Sequence, residues 1–132
     1  MGEERLVMSH IYKDLIVWQK ARMLAGEIYR TSELFPKNEV YGLTSQMRRA
    51  AISVASNIAE GQGRLTKGES QEFLGHSRGS LLELETQLTI AMDLHHISPN
   101  ELASLESKTS EVNRLLNGLI SSLRAKAKAV CN

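Results

Sequence analysis

The sequence predicts an all-α fold, an antiparallel up-down-up-down four-helix bundle, on three observations. Leu, Ala, Ser and Glu are abundant while aromatic residues make up only 5% of the 132 residues. That composition favours helix over a sheet built from β-branched and aromatic side chains. The only prolines, Pro36 and Pro99, both fall between segments of helical periodicity. Apolar residues recur at the 3,4 spacing of a single helix face in four separate stretches, and none alternates as a strand would.

The first helix precedes Pro36 and carries Leu15, Trp18, Ala21, Ala25, Ile28 and Tyr29 at helical spacing. The second follows Asn38, read as its N-cap, with Leu43, Met47, Ala50, Val54 and Ile58 on one face. The third opens on Thr66-Lys67-Gly68-Glu69, which has capping-box spacing. Its stripe is Leu74, Ser77, Leu81, Leu84, Leu88, Ala91 and His95. The fourth start is the best marked, with Ser98 as N-cap, Pro99 at N1 and Glu101 at N3. Leu102, Leu105, Val112, Leu116, Leu119, Leu123 and Val130 continue it. Four rods of about 22 residues, each ~33 Å long, joined by short connections, pack naturally as an antiparallel bundle. That single domain is expected over residues 12–130, after a poorly ordered leader over residues 1–11 in which Met8 is an alternative start to Met1.

Composition also bounds function. The formal net charge of +1 shows no global bias toward polyanions, so any nucleic-acid face must be a local patch. The single Cys131 cannot form an intrachain disulfide and fits a reducing cytoplasm. No apolar run approaches the ~20 residues of a membrane span, and the N-terminus lacks a signal-peptide core. Met1-Gly2 begins like a myristoylation site, but Leu6 stands where Ser or Thr is needed. A cytoplasmic protein without a membrane partner is expected.

The stretch "SNIAEGQGR", Ser56 to Arg64, places two glycines beside a basic residue. It is not a phosphate loop. G-x-x-x-x-G-K-[ST] after a strand is missing, and Thr66 stands where the third glycine of G-x-G-x-x-G belongs. Gly61 is instead expected to turn left-handed and cap the second helix.

Catalytic constellations are equally absent. A di-metal carboxylate bundle needs Glu-x-x-His on two helices, and the chain has none. Glu72 with His76, and Asp93 with His96, lack matching partners, and His95 is read as packing near free carbonyls at the end of helix three. No Gly-x-Ser-x-Gly elbow occurs, and nothing shapes a pocket around Cys131 despite Lys126 and Lys128 nearby. The chain is read as non-enzymatic, with no catalytic residue, metal or cofactor.

Two helices carry more apolar surface than a monomeric bundle needs. Ile52, Ala55 and Ala59 form a second patch on helix two, and Gly75, Gly79, Leu82, Thr86 and Ile90 lie opposite the stripe of helix three. Each glycine inside a helix costs about 1 kcal/mol against Ala, which calls for a reason such as the close approach of another helix. These faces are expected to form the interface of a homo-oligomer. Arg48, Arg49, Arg64, Lys67 and Arg78 are the candidate nucleic-acid-binding residues, and Arg124, Lys126 and Lys128 form a second basic cluster. Ion pairs with Glu60, Glu69 and Glu72, or interface anchoring by Arg48 and Arg49, are the competing uses.

"YKDLIVWQKA" (12–21), "FPKNEVYGLTSQMRRAAISVASNIAEGQGR" (35–64) and "FLGHSRGSLLELETQL" (73–88) resemble the bacterial four-helix-bundle proteins called 23S rRNA intervening-sequence proteins. The similarity runs from about Tyr12 to Leu94, and helix four agrees in character. The resemblance implies a cytoplasmic, non-enzymatic bundle related to the accessory variability proteins of diversity-generating retroelements, which are pentamers that work with a reverse transcriptase and RNA. Ala55 departs from the family, which commonly has a helix-kinking Pro there. The leading expectation is therefore an oligomeric scaffold, a pentamer first, associated with structured RNA. The alternative is a structural or protein-binding oligomer with no nucleic-acid role.

Overall fold

The computed structural model describes the backbone of residues 11–131 and the side chains of residues 12–125. The leader before Ile11, both candidate starts and the Val130 and Cys131 side chains lie outside the described residues. Four helices, α1 (Ile16–Ser32), α2 (Leu43–Gln62), α3 (Lys67–Asp93) and α4 (Pro99–Cys131), are accompanied by 3-10 turns at Ile11–Asp14 and Lys37–Glu39. No strand occurs among the described residues. Each helix packs on the next, α4 closes on α1, and neither diagonal pair comes into close contact.

The contacts run in antiparallel register. Between α2 and α3, Ser53 meets Ser80 at 2.8 Å, the Ser77 hydroxyl donates to the Val54 carbonyl at 2.7 Å, and Gly61 faces Ser70 and Leu74. Between α1 and α4, Lys20 pairs with Glu111 at 3.2 Å and Glu27 with Lys108 at 3.3 Å. Hydrogen bonding by Lys108 and then Arg30 holds the Glu27 carboxyl below its usual range.

The core collects one stripe from each helix. In α1 the buried residues are Val17, Ala21, Leu24, Ile28 and Ser32, whereas Trp18 and Ala25 flank the core and Tyr29 is exposed. The buried face is thus rotated from the expected stripe toward Val17 and Leu24, because closure against α2 and α4 decides which side of α1 turns inward. In α4 the expected Leu102, Leu105, Val112 and Leu116 are buried, Ile120 joins them, and Leu119 and Leu123 pack at the edge. Thr109 fills the gap in the stripe by donating its hydroxyl to the Glu106 carbonyl.

The helix ends bring three corrections. Asn38 lies in the Lys37–Glu39 turn, and α2 starts at Leu43 with Gly42 at the N-cap and no side-chain cap. Gly61 is not left-handed, because no glycine among the described residues has a positive φ. It is buried inside α2, where an added Cβ would sit 3.1 Å from the Ser70 carbonyl oxygen and 3.2 Å from Leu74 Cγ. The residue is small because α3 comes close, not because the chain turns. His95 is exposed rather than on the buried stripe, and among the described residues it alone adopts the left-handed conformation, at φ 63°. The His95 amide donates to the Met92 carbonyl and the His96 amide to Ala91, both at 2.9 Å, which is the Schellman arrangement.

The other caps follow the sequence. Thr66 Oγ1 accepts from the Glu69 amide at 3.1 Å. Ser98 and Glu101 exchange both capping-box bonds, at 3.1 and 3.2 Å. At the same end of the bundle as the α3–α4 connection, the His96 ring meets Glu39 at 2.9 Å and packs on Phe35.

Candidate functional site

The outer face of α3 lies opposite its buried stripe and remains uncovered in the single chain. Leu82 is 57% exposed and Ile90 43%. Gly75 and Gly79 are exposed, and a Cβ added at either would meet nothing within 4 Å. No neighbour within the chain therefore accounts for these two glycines. On α2, Ile52 is exposed and Ala59 half-buried beside Ser56, Gly63 and Tyr12 in a shallow groove. Ala55 faces inward enough to pack against the core.

The candidate basic residues do not form one patch. Arg49 stands thirteen positions before Gln62, the last residue of α2, and Arg64 lies beyond that end, so about 20 Å of helix axis at 1.5 Å per residue separates them. Arg78 is turned toward α4, donating to the Asn117 side-chain oxygen at 3.3 Å. Arg64 pairs with Glu60 at 2.9 Å and lies over the Phe73 ring at 4.2 Å. Arg48 is the most engaged. Its Nε donates to Ser32 Oγ at 2.8 Å and its Nη2 to the Tyr29 carbonyl at 3.2 Å, while the guanidinium stacks 4.5 Å from the Tyr29 ring. Arg48 thus clamps α2 to the end of α1. Arg49 and Lys67 are exposed and form no ion pair among the described residues.

A second surface escaped sequence reasoning. At the α1–α2 corner, Tyr41 is 96% exposed, next to the half-exposed Val40. A groove of about 440 Å³ opens there between Tyr29, Val40, Arg49 and Ile52, with Thr44, Ser45 and Arg48 completing its wall. Periodicity could not reveal it, because Val40 and Tyr41 lie between helices. The stacking of Arg48 on the Tyr29 ring, which only the fold brings together, was the missing signal.

No group of three or more metal-ligating side chains occurs among the described residues, and no described helix is long and apolar enough to cross a membrane. His76 lies 3.9 Å from Glu72 on the exposed side of α3.

Residues 13–118 match the family model described as 23S rRNA-intervening sequence protein. A solved structure of a protein of unknown function from the S23 ribosomal protein family of Bacteroides thetaiotaomicron is similar in fold, with a TM-score of 0.75. It is 22% identical, and the match covers 83% of this chain and 98% of that one. No curated protein matches the sequence.

Proposed function

Because the chain belongs to the 23S rRNA-intervening sequence protein family, we propose that it is a non-enzymatic homo-oligomer that acts as a scaffold associated with structured RNA. The observation that carries the assembly is the outer face of α3. Leu82 and Ile90 are uncovered there, and Gly75 and Gly79 leave room for a backbone to approach. Burying apolar area contributes about 25 cal/mol per Å², and small residues let the two surfaces come close. Ile52 and Ala59 of α2 extend the interface, and the resemblance makes a pentamer the first subunit count. A cytoplasmic location belongs to the same reading.

RNA association draws on the residues left free. Arg49 and Lys67 carry charge that no described partner neutralises, and an oligomer repeats each of them around its axis. A modest patch repeated in this way becomes a strong field for a polyanion. The test is fluorescence anisotropy of a labelled structured RNA across a salt series. Affinity in the micromolar range at low salt is expected, with log K falling linearly as log salt rises. Absence of binding at low ionic strength would turn the reading to its alternative, a protein-binding oligomer. The internal engagement of Arg48, Arg64 and Arg78 favours that second reading.

A further inference from the structure

We propose that the α1–α2 corner binds an unpaired stretch of RNA, with a nucleobase stacked on Tyr41 and its phosphate held by Arg49. This inference rests on the RNA-association reading above and assigns it a place and a strand form. Tyr41 presents nearly its whole ring to solvent, at 96% exposure, where a buried or partnered tyrosine would not. Every base has a π-face, and base–aromatic stacking of this kind tolerates any sequence.

The charge of the corner suits a phosphodiester. Arg49 lines the groove beside Tyr29 and Ile52 without an ionic partner among the described residues. Arg48 stands in the same wall, but its guanidinium is held by Ser32 and Tyr29 and paired with Glu33 at 3.6 Å, so Arg49 is the cation of this groove left to meet a phosphate. The hydroxyl residues Thr44 and Ser45 line the groove in the first turn of α2. That turn has no side-chain cap, so the amides of residues 43–45 keep donors with no intrahelical acceptor. Exposed aromatic and apolar surface interleaved with cations favours a single strand over a duplex. In a duplex the bases are already stacked, and only phosphates and groove edges are offered.

The test uses the full chain and a labelled twelve-nucleotide oligouridine beside a labelled RNA duplex of the same length. Tyr41→Ala should weaken binding of the single strand about tenfold and leave the duplex unchanged. Tyr41→Phe should bind as the wild type does, since the ring is what stacks. Arg49→Ala should lower the salt slope for the single strand by about 0.7 for each phosphate it no longer neutralises. Three outcomes overturn the proposal. If Tyr41→Ala binds the single strand normally while Arg64→Ala with Lys67→Ala does not, RNA association stands and the corner is wrong. If wild-type protein binds neither probe, the RNA reading itself falls. If Tyr41→Ala lowers the mass in solution, the corner is an interface between copies of the chain.

Discussion

Replacing Gly61 by alanine probes the closest approach of α2 to α3. In an unobstructed helix the change stabilises by about 1 kcal/mol, because alanine loses less backbone entropy. At Gly61 the new methyl would lie 3.1 Å from the Ser70 carbonyl oxygen and 3.2 and 3.3 Å from Leu74 Cγ and Cδ2. Ordinary carbon contacts sit at roughly 3.5–4.0 Å. Leu74 is 1% exposed and has nowhere to move, and overpacking of this kind costs about 1–3 kcal/mol. The net expectation is a loss of about 1 kcal/mol. Gly118 on α4 is the control, since an added Cβ there meets nothing within 4 Å, and Gly118→Ala should gain about 1 kcal/mol. Urea melts followed by circular dichroism, at matched chain concentration because assembly couples to unfolding, read the difference. The two variants should differ by about 2 kcal/mol, or roughly 6–10 °C in melting temperature. A Gly61→Ala protein as stabilised as Gly118→Ala would refute the close packing.

Other sites test separate parts of the structure. His95→Gly should stabilise by about 1 kcal/mol, since a residue with a Cβ pays that much to hold φ 63°; an unchanged melting curve would contradict the Schellman assignment. Arg48→Ala should cost about 2 kcal/mol by removing the bonds to Ser32 and Tyr29, and Arg48→Lys should not restore it, because an ammonium lacks the planar fork. A lysine variant as stable as wild type would sink the clamp. Glu27 has a depressed carboxyl pKa, so its contribution is present above the unfolded value of 4.5 and lost as pH falls through the lower folded value. The pair is solvent-exposed and worth below ~1 kcal/mol, and Lys108→Met should reduce the acid-side slope of stability, as urea melts across that pH range will show.

The fold was legible because apolar spacing and caps agree along most of the chain. Leu74, Leu81, Leu84 and Leu88 sit in the core as their period requires, and Ser98-Pro99 starts α4 where its chemistry says it should. The misreadings share a cause, which is that local rules do not see neighbours. Gly61 looked like a stop because glycine often ends helices, yet a carbonyl from α3 set its size. His95 continued a stripe on the wheel, but the helix closed two residues earlier, at Asp93. The candidate basic residues were legible as cations and not as partners. The contacts of Arg48 with Ser32 and of Arg78 with Asn117 join positions far apart in the chain, so only the fold reveals them. The Tyr41 corner was hidden for the same reason.

The central claim is that the uncovered face of α3 meets another copy of the chain, and the mass of the protein in solution tests it most directly. Light scattering on wild-type protein at tens of micromolar, beside Gly79→Leu, is the measurement. Wild type should give a multiple of the 14.7 kDa chain, about 74 kDa for five copies, and Gly79→Leu should give a lower mass with its helicity intact. A wild-type mass of 14.7 kDa, or a Gly79→Leu protein that assembles as wild type does, would contradict it.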